Sequence, residues 1–316
     1  MDTQRLRSFV KVVDMGSITR ASDVLFIAQP ALSQQIAALE REFKQRLLIR
    51  SKRGVEPTAA GRSLYRYSQA ILRMLDEAQA VVAESGNAPA GTVMLGLAPC
   101  SIGSVVALEL LLAVRERFPG IVLHVNENYG GVISEAIMSG RMDLAFIYDP
   151  GPMRGVHFEP LLTDNLVLLV KDGNGINGES VSISDLATLD MILPPPIHTV
   201  RQVVDEGFRK VGCSPRVVAE NASSETLTNA VKSGIGATIL PSMVARRCTQ
   251  ICDTLTVAPI EPTLTVKMSL CTADWQSLSE PATIVHNVLT ELIASGIGIQ
   301  NDELPNEVGN PFLRSD

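Results

Sequence analysis

A short run of small, polar and nearly uncharged residues lies early in the chain and could read the edges of DNA bases. Its members are Gln29, Pro30, Ala31, Ser33 and Gln34. A glutamine amide both donates and accepts hydrogen bonds, so it can pair with adenine in the major groove, and small neighbours let a helix approach the bases. An ordinary pair of packed helices can show the same face. These residues alone leave both interpretations open.

Three cations follow at a spacing that suits phosphate binding. They are Arg50, Lys52 and Arg53, in the segment LLIRSKRGVEPT at residues 47–58. The segment begins as an apolar strand, turns at Gly54 and stops at Pro57, which predicts a basic hairpin. Directly after a base-reading helix, such a hairpin is a wing that holds phosphates while the helix reads the sequence.

Two short helices joined by a tight turn, within residues 16–43, must position the base-reading face. Ser17 can cap the first helix, and Pro30 suits the first turn of the second. The predicted inward residues are Ile18, Ala21 and Leu25 in the first helix, and Leu32, Ile36, Leu39 and Phe43 in the second. This pattern predicts a helix-turn-helix. We expect Ser17 and Thr19 to contact DNA together with the second helix.

Two further helices flank this unit. Residues 2–15 predict a first helix whose inward side comprises Leu6, Phe9, Val10 and Val13. From a cap at Thr58 to about residue 85, one long helix is predicted, with an apolar stripe of Leu64, Ile71, Leu75, Ala78 and Val82. In a single chain this stripe would be half exposed. It can pack on its own domain, but the pattern favours pairing with the same helix of a second chain.

These residues resemble the LysR-type transcriptional regulators. The resemblance rests on LRSFVKVVDMGSITRASDVLFIAQPALSQQIAALE, on the LLIR strand and on the PTAAG that opens the long helix. It implies a winged helix-turn-helix, a dimerising linker helix and a two-lobed α/β effector domain like a periplasmic binding protein. It also implies an activator or repressor that binds interrupted inverted repeats, with RNA polymerase as a partner and a homodimer or homotetramer as the assembly. IAQPALSQQIA, LLIRSKRGV and LGLAP resemble the nitrogen-assimilation-control type, whose regulators can act without a coinducer.

Beyond residues 86–91, a Gly/Pro-containing linker, strands and helices alternate in a pattern that predicts two α/β lobes. We predict the following domains: 1–58, winged helix-turn-helix; 59–91, linker helix and hinge; 92–295, two-lobed regulatory domain; and 296–316, a disordered tail. Lobe 1 is predicted to comprise 92–163 and 267–295, and lobe 2 to comprise 164–266.

Polar residues that follow strands or open helices in both lobes could line an effector cleft between them. The candidates are Pro99, Cys100, Ser101, Asn128, Tyr129, His198, Thr199, Ser223 and Glu225. Serine and threonine at helix starts are also ordinary caps. No Lys or Arg stands in these segments to neutralise an acidic metabolite. We therefore expect the amount of the protein, rather than a ligand, to be the main control, with a coinducer as the alternative.

Charge and cysteine usage narrow the class of protein. The net charge is −7, yet residues 1–70 hold 12 Lys and Arg against 6 Asp and Glu, whereas the rest hold 15 against 28. A basic head on an acidic body is typical of a DNA-binding protein with limited non-specific adhesion. Five scattered cysteines and an N-terminus without an apolar signal core indicate the cytoplasm.

Other classes are disfavoured by what the sequence lacks. No apolar run reaches the roughly 18 residues of a membrane-spanning helix. The four histidines are scattered, and neither a GxSxG elbow nor a P-loop is present, so we expect no enzyme activity, no cofactor and no metal. A solute-binding protein would fit the two lobes, but the basic head and the missing signal peptide argue against it.

Overall fold

The N-terminal part of the chain is a small helical domain with a two-stranded hairpin. A computed structural model describes residues 2–51, 54–83, 89–173, 176, 180–251 and 254–295. The N-terminal elements are α1 (Thr3–Met15), α2 (Ile18–Leu25), α3 (Gln29–Phe43), β1 (Leu48–Ser51), β2 (Gly54–Pro57) and α4 (Ala59–Ala83). We call residues 2–51 and 54–58 the head, and α4 the linker helix.

Side-chain caps explain where three of these helices begin. Asp2 accepts from the backbone N–H of Gln4 at 2.9 Å. Ser17 caps α2 as predicted. Thr58 Oγ1 accepts from the N–H of Gly61 at 3.0 Å and so starts α4. Each cap satisfies an N–H that a helix cannot satisfy by itself.

The core of the head follows the predicted periodicity with two corrections. Leu6, Phe9, Leu32, Ile36 and Leu39 are fully buried. Phe43, predicted to end the inward stripe of α3, is 40% exposed, because it is the last residue of the helix and lies beyond the packed turns. On α1 the buried residue is Val12 rather than Val13, which is half-buried.

The rest of the chain is an α/β body of two lobes. Its elements are β3 (Gly91–Leu97), α5 (Ile102–Arg117), β4 (Ile121–Glu127), α6 (Gly130–Met138), β5 (Leu144–Tyr148), β6 (Val156–Lys171), β7 (Val181–Ser182), α7 (Ile183–Leu186), β8 (Asp190–Leu193), α8 (Thr199–Lys210), β9 (Arg216–Glu220), α9 (Ser224–Lys232), β10 (Thr238–Pro241), α10 (Ser242–Ile251), β11 (Leu255–Glu261), β12 (Thr265–Ala273) and α11 (Glu280–Ala294).

One long strand connects the lobes. The first part of β6, through Asn165, pairs with β12 beside the parallel strands β3, β4 and β5. The last part, from Leu166, pairs instead with β10 and β11. We call the side built on β3, β4, β5 and β12 lobe 1, and the side with α8, α9 and α10 lobe 2. At the crossing, the buried Asp164 accepts hydrogen bonds from the N–H groups of Ser242 and Met243, at 3.2 and 3.3 Å, and so caps α10.

Three features of the body were not evident from the alternation of strands and helices in the sequence. Strand β6 begins at Val156, well before its buried apolar part at residues 166–170, because the preceding segment adds to the edge of β12. Strand β11 was not predicted, since its short run is interrupted by Pro259. The sheet is mixed: β12 runs antiparallel to both β5 and β6, although alternating strands and helices usually form parallel sheets.

Candidate nucleic-acid interface and inter-lobe cleft

The predicted base-reading residues share the outer surface of α3. Gln29, Pro30, Ala31 and Gln34 are exposed and Ser33 is half-buried. The helix starts at Ala28 without a side-chain cap, so its first N–H groups remain available to an acceptor such as a phosphate. Thr19 is exposed on the first turn of α2, and Ser17 is half-buried because its hydroxyl caps that helix.

Two side chains hold α3 at a fixed angle to its neighbours. Gln35, which borders the base-reading face, accepts a hydrogen bond from the buried Ser8 hydroxyl of α1. Glu40, near the other end, accepts from the N–H groups of Leu47 and Leu48 at 2.9 and 3.3 Å. The periodicity had not indicated either contact. Gln35 therefore orients the helix, whereas Gln34 is free to reach a base.

The turn between α2 and α3 carries an exposed aromatic residue in a strained conformation. Phe26 has φ +54° and is almost fully exposed. A non-glycine residue rarely adopts this left-handed conformation. Here the backbone is held by hydrogen bonds from the N–H groups of Phe26 and Ile27 to Asp23 and Ser22, at 3.3 and 3.1 Å. The turn places α3 across α2, as a helix-turn-helix requires.

The wing is present as the antiparallel pair β1–β2, in which Ser51 lies opposite Gly54. Arg50 is exposed on β1. Lys52 and Arg53 lie outside the described residues, so their predicted phosphate contacts remain a prediction. The wing is fastened to the head by the N–H of Val55, which donates to the carbonyl of Gly16 at 2.9 Å.

Gly54 is the residue that permits this close approach. It has φ +127°, and a Cβ added there would lie 2.5 Å from the carbonyl oxygen of Gly16. We expect Gly54→Ala to lower the free energy of unfolding by about 2 kcal/mol or more, since backbone strain and a clash with backbone add together. Urea denaturation followed by circular dichroism measures this cost.

Gly151→Ala is the matched control for that substitution. Gly151 also has a positive φ, of +89°, but a Cβ there meets nothing within 4 Å. It should show the cost of backbone strain alone. Equal costs for the two variants would contradict a role for the contact between Gly16 and Gly54.

The part of the inter-lobe cleft around Pro99 and His198 is almost filled by the protein's own side chains. Of the predicted effector residues, Pro99, Tyr129, His198 and Thr199 come together there, around a cavity of about 10 Å³ that Tyr148 also lines. A volume of about 10–15 Å³ accommodates one water molecule, and a metabolite needs roughly 300 Å³ or more. This part of the cleft has no room for a small-molecule effector.

Hydrogen bonds between the lobes keep the cleft closed. His198, which is 2% exposed, lies 3.1 Å through Nε2 from the carbonyl oxygen of Pro99, and its Nδ1 accepts from the N–H of Val200. Burial lowers the pKa of His198, although the Pro99 carbonyl opposes this shift, so the neutral ring donates through Nε2. The Cys100 thiol donates to the carbonyl of Ala222 across the cleft at 3.0 Å.

Tyr148, which the sequence analysis missed as a cleft residue, holds the segment that contains Pro99 and Cys100. Its hydroxyl donates to the carbonyl of Cys100, and its ring lies 5.6 Å from that of His198. Its place at the end of the apolar run LAFIY, which forms β5, was a usable signal. Burial raises the pKa of Cys100 to about 12, so its thiol stays protonated and unreactive.

Three of the four remaining candidates form hydrogen bonds with nearby backbone groups. Ser101 is fully buried, donates to the carbonyl of Ala98 and caps α5. Asn128 accepts from the N–H of Tyr129 at 2.9 Å. Ser223 caps α9 and is exposed, as is Glu225. None of these four candidates lines the small cavity, so the structure gathers only part of the predicted set.

Within the described residues, no three His, Cys, Asp or Glu side chains are grouped so that they could hold a metal ion. No helix in the described ranges combines the length and apolarity needed to cross a membrane.

Family models match both halves of the chain. The model described as "Bacterial regulatory helix-turn-helix protein, lysR family" matches residues 3–62, and the model described as "LysR substrate binding domain" matches residues 86–294. The chain belongs to the LysR family of transcriptional regulators. LysR-type regulators bind DNA through the helix-turn-helix and form oligomers; they are transcription regulators rather than enzymes.

Individual LysR-type proteins are similar over nearly the whole length. The chain is 39% identical over 297 residues to the nitrogen assimilation regulatory protein nac of Escherichia coli strain K12, covering 94% of this chain and 97% of that protein. The nac protein of Klebsiella aerogenes is 38% identical over 304 residues, covering 96% and 99%. A full-length OxyR variant of Pseudomonas aeruginosa has the same fold, with a TM-score of 0.68, 23% identity and coverage of 96% and 99%.

Proposed function

We propose that this LysR-type regulator activates or represses promoters of nitrogen or amino-acid metabolism. The observation that carries the proposal is the exposed polar face of α3, held beside a wing on a chain that is 39% identical to a nitrogen assimilation regulatory protein. In this proposal Gln29, Pro30, Ala31, Ser33 and Gln34 read bases. Arg50, Lys52 and Arg53 bind phosphates, and Ser17 and Thr19 contact DNA at the start of α2.

The proposed assembly is a dimer formed through the linker helix. Ala78 and Val82 of the predicted stripe are exposed in the single chain, which leaves them free to meet a second copy. A symmetric pair of heads recognises inverted half-sites separated by a helical turn. A tetramer through the α/β bodies would bend the DNA between two such sites, and RNA polymerase is the proposed partner at the promoter. The protein would act in the cytoplasm.

The predicted domain boundaries are part of the same proposal. The head would comprise 1–58, the linker helix and hinge 59–91, and the regulatory domain 92–295. Lobe 1 would comprise 92–163 and 267–295, and lobe 2 164–266. The change of pairing partners along β6 at residues 165–166 supports the first crossing between the lobes. The tail at 296–316 lies outside the described residues.

A gel-shift experiment with genomic fragments tests DNA binding. The full chain should shift a small subset of fragments, and the chain without residues 1–60 should shift none. A genome-wide footprint of the purified protein would then identify the promoters. Retention of binding after removal of residues 1–60 would refute the assignment of the DNA surface, and an absence of nitrogen or amino-acid genes among the targets would refute the pathway.

We further propose that the amount of protein, and not a coinducer, controls activity. The closed cleft supports this, because a ligand can shift an equilibrium only by binding one state better than another. The bonds from His198 to Pro99 and from Cys100 to Ala222 would have to break before an effector could enter.

Calorimetry against a panel of nitrogen and amino-acid metabolites checks this proposal. We expect no binding at micromolar concentration and no change in the footprint. A micromolar ligand that shortens the footprint, and whose binding is lost in Thr199→Ala, would instead establish the coinducer model. Ser223→Ala is a suitable control, because Ser223 does not line the cavity and caps an exposed helix start.

A further inference from the structure

The linker helix packs against lobe 1 of its own chain as well as against its head. Gly140, in the loop after α6, has φ +71°, and a Cβ there would lie 3.2 Å from the carbonyl oxygen of Arg66 and 3.5 Å from the ring of Trp275. The backbone of α4 therefore approaches lobe 1 at a point where only a small residue fits.

A partly buried ion pair lies beside this contact. Arg73 Nε of α4 is 3.2 Å from Asp143 Oδ1 of lobe 1, and the two side chains are only 20% and 12% exposed. The guanidinium also donates to the carbonyl of Gly140. Asp143 Oδ2 accepts from the N–H of Met94 at 2.8 Å, which ties the pair to β3.

Because Asp143 is largely buried, its charged form depends on the ion pair with Arg73. Desolvation raises the pKa of Asp143, and Arg73 and the N–H of Met94 both oppose that shift. Removing Arg73 would leave a carboxylate that is largely shielded from water without its cation. An unpaired buried charge is costly. The free energy would therefore fall if lobe 1 moved away from α4 and water reached the Asp143 carboxylate.

An aromatic cluster forms the other half of the contact. The rings of Tyr67 and Trp275 meet edge to face, with centroids 5.4 Å apart. The guanidinium of Arg66 lies 5.1 Å from the Trp275 ring centroid, within cation–π range. Trp275 Nε1 and Arg66 Nε are buried and have no hydrogen-bond partner among the described residues. Separation of the two surfaces would restore their bonds to water, which keeps the contact reversible.

The contact with lobe 1 uses a different side of α4 from the predicted dimer stripe. At roughly 100° per residue, Arg66, Ala70 and Arg73 point to one side and Leu75, Ala78 and Val82 to another. Tyr65, Ser68 and Leu72 form a third side, which is buried. The helix can therefore hold its head, lobe 1 and a second copy at the same time.

Next to the contact, the head and lobe 1 are not packed together. A cleft of about 540 Å³ separates them, lined by Asp14 and Pro57 on the head, by Arg62 on α4, and by Met138 and Arg141 on lobe 1. Lobe 1 can rotate into this space without breaking the core of either part.

We propose that Arg66, Tyr67 and Arg73 with Gly140, Asp143 and Trp275 form a reversible latch between the linker helix and lobe 1. With the latch closed, lobe 1 moves as one body with the head. With the latch open, the lobes can take another orientation relative to the paired heads. This changes the length of DNA that the assembly covers. This last consequence rests on the proposed DNA-binding function, whereas the latch itself does not.

Trp275 is the chain's only tryptophan, so its fluorescence in the purified full-length protein reports the latch directly. We expect Arg73→Met, and separately Asp143→Asn, to shift its emission to longer wavelength and to increase quenching by acrylamide. The double variant should add little to either single one, since both act through one pair. The amide introduced by Asp143→Asn would keep an oxygen for the N–H of Met94. The docked-to-undocked ratio should fall about five-fold or more, for a coupling of about 1 kcal/mol.

Arg117→Met is the matched control. Arg117 forms an ion pair with Glu291 at 2.9 Å within lobe 1, with side chains 46% and 61% exposed, and it should leave Trp275 emission unchanged. Circular dichroism and melting curves identify any variant that has merely unfolded. Unchanged quenching in both latch variants, or fully additive effects, would overturn the proposal.

A DNase footprint forms the second arm, on a site bound by the wild-type protein. Opening the latch should change the footprint's length while each half-site stays protected. An unchanged footprint alongside altered fluorescence would refute the consequence for DNA. If the wild-type protein bound no DNA at all, the proposed function would fail, and the fluorescence result would still decide whether the latch exists.

Discussion

Replacing Ala78 and Val82 together by Glu should convert the protein to a monomer and weaken specific DNA binding by ~10²–10⁴-fold. Linking two heads makes the second contact intramolecular, and a gain of about that size is lost when the link is broken. Both residues are exposed in the single chain, Val82 at 78%, so the substitutions should not disturb the fold. Sedimentation and gel shifts on an inverted-repeat site measure the two effects.

The control is Gln79→Glu, which adds one negative charge, where the double variant adds two, at an exposed position of α4 outside the apolar stripe. It should leave the dimer intact. The fragment 1–86 should also dimerise by itself. A monomeric fragment at high concentration, or a double variant that dimerises as the wild type does, would contradict the assignment of the linker helix.

Gln34→Ala should change the preference for one base pair over the others by about 1–3 kcal/mol, a factor of roughly 5 to 150. Gln34 is exposed on α3, whereas its neighbour Gln35 is held by Ser8. Arg50→Ala should instead weaken binding to all sequences alike and lower the salt slope by about one unit, because a phosphate contact carries no sequence information. Binding to a randomised library at several salt concentrations measures both effects.

Gln35→Ala tests whether Gln35 positions α3 rather than reading a base. Losing the bond to Ser8 should lower the free energy of unfolding by about 1 kcal/mol and weaken binding without a new base preference. If the substitutions at Gln34 and Arg50 weakened every site equally, the division between base reading and phosphate binding would be wrong.

Much of the head could be predicted because its signals are local. The cap at Ser17, the inward residues Leu32, Ile36 and Leu39, and the hairpin turn at Gly54 each depend on neighbours within a few residues. The predicted fold and family are confirmed by the matching models and solved structures. Phe43 was misplaced because periodicity does not indicate where packing stops.

The cleft shows where sequence reasoning stopped. The sequence analysis correctly found polar residues that follow strands and open helices. However, most of the serine and threonine hydroxyls among them cap their own helices, as those of Ser101 and Ser223 do. The bond from Cys100 to Ala222 joins residues 122 positions apart. A periodic pattern contains no information about such a contact.

By itself, the sequence determined the order of elements in the head, most of the inward faces of its helices and the division between a basic head and an acidic body. These depend on short-range propensity, on side-chain spacing and on composition. Only the tertiary structure decided that β6 runs through both lobes, that the cleft is filled and that Arg73 meets Asp143. Each of these depends on segments far apart in the chain, whose mutual positions are fixed by the packing of the whole.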